Sequence, residues 1–304
     1  MAKPVRIKGL LRRMSVARAA SKVLREVLLD LLERIPEARN SDSKKAIHDL
    51  RVAVKRFREA FRLFRPVVRK KAFRKHRKWI EDLNDALGAV RDRDVALARM
   101  HKLTDGLSET PPSVAGLLAR LQSERLAATD ELEAFLKRLQ LGGAPAQFAA
   151  HIDSIERQAA YGEPTYVFAR RQVLERLRDV HERWQDARRE ATPESLHRVR
   201  IANKRLRYAI EPFSRMLGNG LRQLYRSASR FHDALGDLHD ADAMAVMLET
   251  SMAGASRLER CIWESLSTKV NRRRRVALRK SLALADELEP LWVEAQRALE
   301  EPLP

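Results

Sequence analysis

Apolar residues recur at helical spacing along most of the chain, and strand-like alternation is absent. The pattern predicts a first long helix over about 15–35, with Pro36 behind its end. A loop over 37–43 follows, in which Ser41, Asp42 or Ser43 can cap the next helix. That second helix carries Ile47, Leu50, Val54, Phe57, Phe61 and Phe64 on one face and ends near Pro66. A third runs from Val67 to Leu87 on Phe73, Ile80, Leu83 and Leu87, with Gly88 as its stop. A fourth spans about Ala89 to Leu103. Residues 104–113 read as a loop, 114–140 as an amphipathic helix, Gly142, Gly143 and Pro145 as a break, and 146–165 as a connection between halves. The order then restarts. Helix 166–190 leads to a turn where Thr192 can cap and Pro193 takes the first helical position. A helix ending at Phe213, a helix over 221–235, the segment 236–242 and two further helices to about Leu299 complete the chain.

The restart is a repeat in the letters themselves. His48, Arg51, Lys55, Arg56 and Arg58 return 149 residues later as His197, Arg200, Lys204, Arg205 and Arg207. The segment 83–88, Leu-Asn-Asp-Ala-Leu-Gly, returns as Phe-His-Asp-Ala-Leu-Gly over 231–236. Arg91-Asp92-Arg93-Asp94 returns as His239-Asp240-Ala241-Asp242. On the same register Arg74 matches Arg222 and Lys78 matches Arg226. The chain therefore reads as all-α, with two similar bundles related by a pseudo-twofold axis and joined as one compact unit. The repeats cover about 12–145 and 160–298.

A helix turns about 100° per residue, so His48, Arg51, Lys55, Arg58 and Arg62 share an arc of roughly 80°. The apolar face fills the neighbouring arc. The cations thus lie on the shoulder of the core face, where packed helices leave grooves that hold ligands. From His48 to Lys78 there are 13 Lys or Arg against Asp49 and Glu59, and from His197 to Arg230 there are 9 against Glu211. Local acids are too few to neutralise such a stripe. An external anion is the better reading, and both copies would face a shared central channel.

Composition sharpens this. The 304 residues hold 60 Lys and Arg against 41 Asp and Glu, a formal net charge of +19. A charge of that size speaks of partners: nucleic acid, an anionic membrane surface or a phosphate polymer. The single cysteine, Cys261, excludes an internal disulfide framework and fits a reducing compartment. The longest apolar run is far short of a membrane span, so no membrane insertion is expected. The basic stretch from Met1 to Ala20 lacks a secretory apolar core and reads as an extension into the first helix.

The repeated motifs, His48-x-x-Arg51-Val52-x-x-Lys55-Arg56-x-Arg58 and Leu87-Gly88-x-x-Arg91-Asp92-x-Asp94 with their second copies, resemble the CHAD family, an α-helical domain named for its histidines. The resemblance spans about 12–298 as a single domain. It implies two four-helix-bundle halves around a central basic pore. It also implies binding of inorganic polyphosphate and association with polyphosphate granules. A cytoplasmic location is expected. The family's lining residues carry over to His48, Arg51, Lys55, Arg56 and Arg58, and to His197, Arg200, Lys204, Arg205 and Arg207. Arg62, Arg74, Lys78, Arg222 and Arg226 extend the lining by register. Glu211 breaks the repeat where Arg62 stands in the first copy. The Glu-x-Glu-x-Lys motif of a fused triphosphate hydrolase is missing, so a fused enzyme is not expected. A non-enzymatic monomer without cofactor or metal is the expectation.

Arg forks and Lys point charges alternating at helical spacing suit the closely spaced oxygens of a phosphate chain. Phosphate beside His48 and His197 would favour their charged forms. Asp92, Asp94, Asp240 and Asp242 read as first-turn residues that cap a helix and pair with cations of the His helix, in preference to a metal site. Phe57, Phe61, Phe64, Leu206, Ile210 and Phe213 read as core. The run Arg272–Arg275 covers all sides of a helix, as a solvated or auxiliary anion surface. General nucleic-acid binding is the competing expectation, with weaker affinity, because few aromatics interleave with the basic stripes. A phosphohydrolase using His48 and His197 lacks a carboxylate cluster for magnesium.

Overall fold

The computed structural model describes residues 7–39, 43–105, 107, 109–157, 162–190, 192–253 and 255–301. Among them the chain forms nine α-helices: α1 (Val16–Arg39), α2 (Lys44–Leu63), α3 (Lys70–Thr104), α4 (Pro112–Leu141), α5 (Ala144–Arg157), α6 (Thr165–Glu190), α7 (Pro193–Ile210), α8 (Asn219–Met252) and α9 (Arg257–Glu300). Short 3₁₀ turns follow α2 and α7. The starts of α2 and α7 match the sequence signals. Ser43 accepts from the Ala46 N–H at the head of α2, while Ser41 and Asp42 lie outside the described residues. Thr192 and Ser195 form a capping box with Pro193 at the first helical position of α7.

Four boundaries differ from the sequence expectation. α1 runs through Pro36 to Arg39, where the sequence ends it near residue 35. Gly88 and Gly236 end nothing, since α3 and α8 run through them without a break. An interior glycine costs only about 1 kcal/mol relative to alanine. The rows Leu83, Leu87, Val90 and Leu97 on α3, and Leu235, Leu238 and Met244 on α8, are buried on both sides of it. Each fully buried side chain of that size contributes about 1.5–3 kcal/mol, so packing overrides the local preference. As a result Asp92, Asp94, Asp240 and Asp242 are mid-helix residues and cap nothing. The expected connection over 146–165 is also mostly helix. After Gly142 and Gly143, where Gly143 takes φ +63°, α5 follows α4. It packs on α1 as the far part of α9 packs on α6.

The first half holds α1 to α5, with α4 and α5 together in the place that α9 takes in the second. The second half holds α6 to α9, and α2 and α7 meet at the centre. One large core spans both halves. Phe57, Phe61, Phe64, Leu206, Ile210 and Phe213 all lie in it, as the sequence predicts. Phe148 of α5 sits edge-on against Phe57 and Phe61. A second core joins the far ends of α3, α4, α8 and α9 through Met100, Leu121, Met244, Leu248 and Trp263. The starts of the two halves are tied by an antiparallel bridge between Ser15 and Pro164, flanked by the Thr165 N–H donating to the Met14 carbonyl at 2.7 Å. Among the described residues, no helix is long and apolar enough to cross a membrane.

Candidate anion-binding furrow

The central pair α2 and α7 carries the two basic stripes, and cavities open along them. The first, of about 470 Å³, is lined by His48, Arg51 and Lys55 of α2 and Arg200 of α7. Because α3 and α8 continue past their glycines, they close its far side with Arg91, Asp92, Arg99, His239 and Asp240, and with apolar Val95, Ala96, Met244 and Met247. The glycines sit under the stripe: a Cβ on Gly88 would touch Nη2 of Arg51 at 3.8 Å, and one on Gly236 would touch Nε of Arg200 at 4.0 Å. An alanine fits there, but a longer side chain would displace the guanidinium.

The second cavity, of about 520 Å³, is lined by Arg58, Arg62, Arg65, Lys70, Arg74, Arg77 and Arg205, with Glu81 and the rings of Phe61 and Phe73. Lys204 connects the two. Its ammonium feels Arg200 of the first cavity and Arg58 and Arg62 of the second.

Acids reach part of this field. Arg51 Nη1 lies 3.2 Å from Asp92, and Arg99 Nη2 lies 2.6 Å from Asp240. Glu59, buried between the stripes, pairs with Arg62 at 3.1 Å, Arg58 at 3.3 Å and Lys204 at 3.8 Å. Lys55 makes no ion pair among the described residues. Burial, then Arg51, Lys204, Arg200 and Arg58, lower its pKa from 10.5 to about 7. Burial likewise brings Lys204 to about 8, against the pull of Glu59. The Nε atoms of Arg51, Arg58, Arg200 and Arg205 are buried without a hydrogen-bond partner, as is Nδ1 of His232. A buried donor left unsatisfied costs about 1–3 kcal/mol, so the furrow is poised for an acceptor-rich ligand.

The histidines are held neutral. Burial, then Arg91, lowers the pKa of His48. Burial, then His239, lowers that of His197, whose ring centroid is 4.9 Å from that of His239. His232 is pushed down further by burial and by Arg207, Arg200, Lys204 and Lys55.

Of the stripe residues named from sequence, His48, Arg51, Lys55, Arg58, Arg62, Arg74, Arg200 and Arg205 line the two cavities. Lys204 bridges them, and His197 stands behind His239. Arg207 turns aside: its Nε donates to Ser229 Oγ at 2.9 Å and its guanidinium lies over the Tyr225 ring. Arg56 is buried and faces away, with Nε 2.7 Å from Glu211 Oε1 and Nη1 3.6 Å from Asp30. Lys78 is exposed beside Asp82, and Arg222 and Arg226 are exposed on α8. Within the run Arg272–Arg275, Arg274 is paired with Asp242. Sequence reasoning did not place Arg91, Arg99 and His239 in the lining. They follow on the faces of α3 and α8 that carry the glycines, a signal hidden by ending those helices at Gly88 and Gly236.

A family model for the CHAD domain matches residues 22–249. The crystal structure of the CHAD domain from the plant Ricinus communis aligns over 100% of this chain and 98% of its own, with a TM-score of 0.66 and 20% identity. PptA from Streptomyces chartreusis aligns over 92% of this chain and 99% of its own, with a TM-score of 0.62 and 15% identity. At such identities the two structures establish a common fold. No curated protein matches the sequence.

Proposed function

The chain belongs to the CHAD domain family, and we propose that its furrow binds inorganic polyphosphate without catalysing a reaction on it. The observation that carries this reading is Lys55. A half-buried amine surrounded by Arg51, Arg58, Arg200 and Lys204, with no ion pair among the described residues, is an arrangement that favours an incoming anion. Arg51 and Arg200, whose Nε–H groups are buried without a partner, line the same cavity as Lys55. A linear phosphate chain can meet these groups in turn, with arginine forks taking paired oxygens and lysines following as mobile charges. His48, His197 and Lys55 would take up protons as it enters, because phosphate favours their charged forms. The family association names polyphosphate within this chemistry and motivates placement of the protein at polyphosphate granules.

Nucleic acid fits less well. Trp79 packs against Phe57 and Phe148, and Tyr225 lies under Arg207, so neither ring is free to stack on bases. Titration calorimetry with long-chain polyphosphate, duplex DNA and single-stranded RNA at equal phosphate concentration separates the readings. Arg51→Ala/Lys55→Ala/Arg200→Ala/Lys204→Ala runs in parallel. Tight polyphosphate binding that this variant loses supports the proposal. Equal binding of all three polymers, untouched by the substitutions, points to net charge alone. Phosphate release would establish a hydrolase instead. A tagged protein that stays diffuse in cells rich in granules would argue against granule association.

A further inference from the structure

The furrow is not equivalent at its two ends. In the first half, six arginines meet at the second cavity: Arg58, Arg62, Arg65, Arg74 and Arg77 from the α2–α3 side, and Arg205 from α7. Lys70 adds a seventh cation. On the repeat register, the second half replaces Arg62 by Glu211, Arg65 by Ser214, Arg77 by Tyr225 and Lys70 by Gly218.

Three cations remain at the matched place: Arg56, Arg207 and Arg222. Arg56 is buried on Glu211 and Asp30, and Arg207 is bound to Ser229. The small space beside Arg56 and Glu211 is walled by Val23, Val27 and Ile7. On the register, Val27 of α1 corresponds to Arg176 of α6, whose charge is felt by Arg62 and Arg205. One end of the furrow is therefore an open basin of seven cations against only Glu59 and Glu81. Its counterpart is an ion pair sealed among apolar side chains.

We infer that the protein holds a linear phosphate chain off-centre: the chain runs from the central lysines out over the first-half basin, and the second-half flank adds no contact to it. This rests on the polyphosphate reading of the furrow and adds a polarity that the repeat alone would not have. Glu211 is the residue that sets it, by neutralising Arg56 where Arg62 leaves Arg205 cationic.

Two pairs of exposed arginines test this without threatening the fold. Calorimetry with long-chain polyphosphate over a salt series compares wild type with Arg65→Ala/Arg74→Ala at the first flank and Arg222→Ala/Arg226→Ala at the second. The first pair should weaken binding about tenfold or more and flatten the salt dependence by roughly the two lost phosphate contacts. The second pair should change affinity less than twofold and leave the slope unaltered. Ser214→Arg, which restores the counterpart of Arg65, should tighten binding only if long chains are used. Equal losses from both pairs would overturn the polarity and leave the polyphosphate reading standing. Absence of polyphosphate binding by the wild type would overturn both.

Discussion

Nε of Arg125 on α4 donates to Oδ1 of Asp94 on α3 at 2.7 Å, with the aspartate side chain fully shielded from solvent. The second half repeats the pair as Arg274 and Asp242, both partly exposed. Two ion pairs of equal chemistry thus differ in burial. Removing one partner of a buried pair costs about 3–5 kcal/mol, while an exposed pair contributes about 0–1 kcal/mol. Asp94→Asn should therefore lower the unfolding free energy several-fold more than Asp242→Asn. Urea unfolding of the two variants checks this, and equal losses would contradict the burial argument.

Glu59 sits among Arg58, Arg62 and Lys204 as an internal counter-ion. In Glu59→Gln the three cations lose their shared carboxylate. The empty protein should become less stable, by about 3–5 kcal/mol. Polyphosphate should bind more tightly, because the ligand no longer competes with a fixed negative charge. A thermal melt with and without polyphosphate reads both effects. Weaker binding in this variant would mean that Glu59 positions the cations for the ligand.

Lys55 gives the empty protein a pH dependence. Its folded pKa of about 7 lies below the ordinary 10.5. Between those values the unfolded chain binds more protons than the folded one, so stability rises with pH across this window and the penalty is complete below pH 7. Lys55→Met should stabilise the empty protein most near pH 7 and less as pH approaches 10. Unfolding curves at pH 7, 8.5 and 10 measure the change; a constant difference would show that Lys55 stays charged in the fold.

His48 and His197 are lowered chiefly by burial. They are neutral in the empty furrow at pH 8, and a bound phosphate gains their charge as pH falls. His48→Ala/His197→Ala should weaken polyphosphate binding more at pH 6 than at pH 8. Calorimetry of the wild type in two buffers of different ionisation enthalpy should also show net proton uptake near pH 7.5, from these groups and from Lys55. Equal losses at both pH values would leave the histidines a purely steric role.

The sequence carries the helical content, the doubled order of elements and the basic stripe, because each is written in local spacing. It misplaces what depends on distant partners. Gly88 and Gly236 look like helix stops followed by acidic first turns, and only the buried rows on either side show that the helices continue. Arg56 lies about 160° round the helix from Arg58 and so off the arc of the stripe, but its partner Glu211, 155 residues beyond it, shows only in the fold. Residues 146–157 lack a capping signal and follow two glycines, so the helix that seats Phe148 in the core is hidden until α1 and α3 surround it.

The bridge between Ser15 and Pro164 joins residues 149 positions apart, the offset of the repeat itself. Each partner therefore meets its own counterpart, which is the mark of an isologous interface between identical subunits. This single polypeptide keeps the contact geometry of a homodimer while lifting its chief constraint. In a homodimer a glutamate at the position of Arg62 would appear on both subunits, cancelling one arginine basin and creating a second sealed pair. Fused in one chain, the copies diverge independently, and Glu211 facing Arg56 while Arg62 faces Arg205 is a divergence that no symmetric ancestor could have displayed.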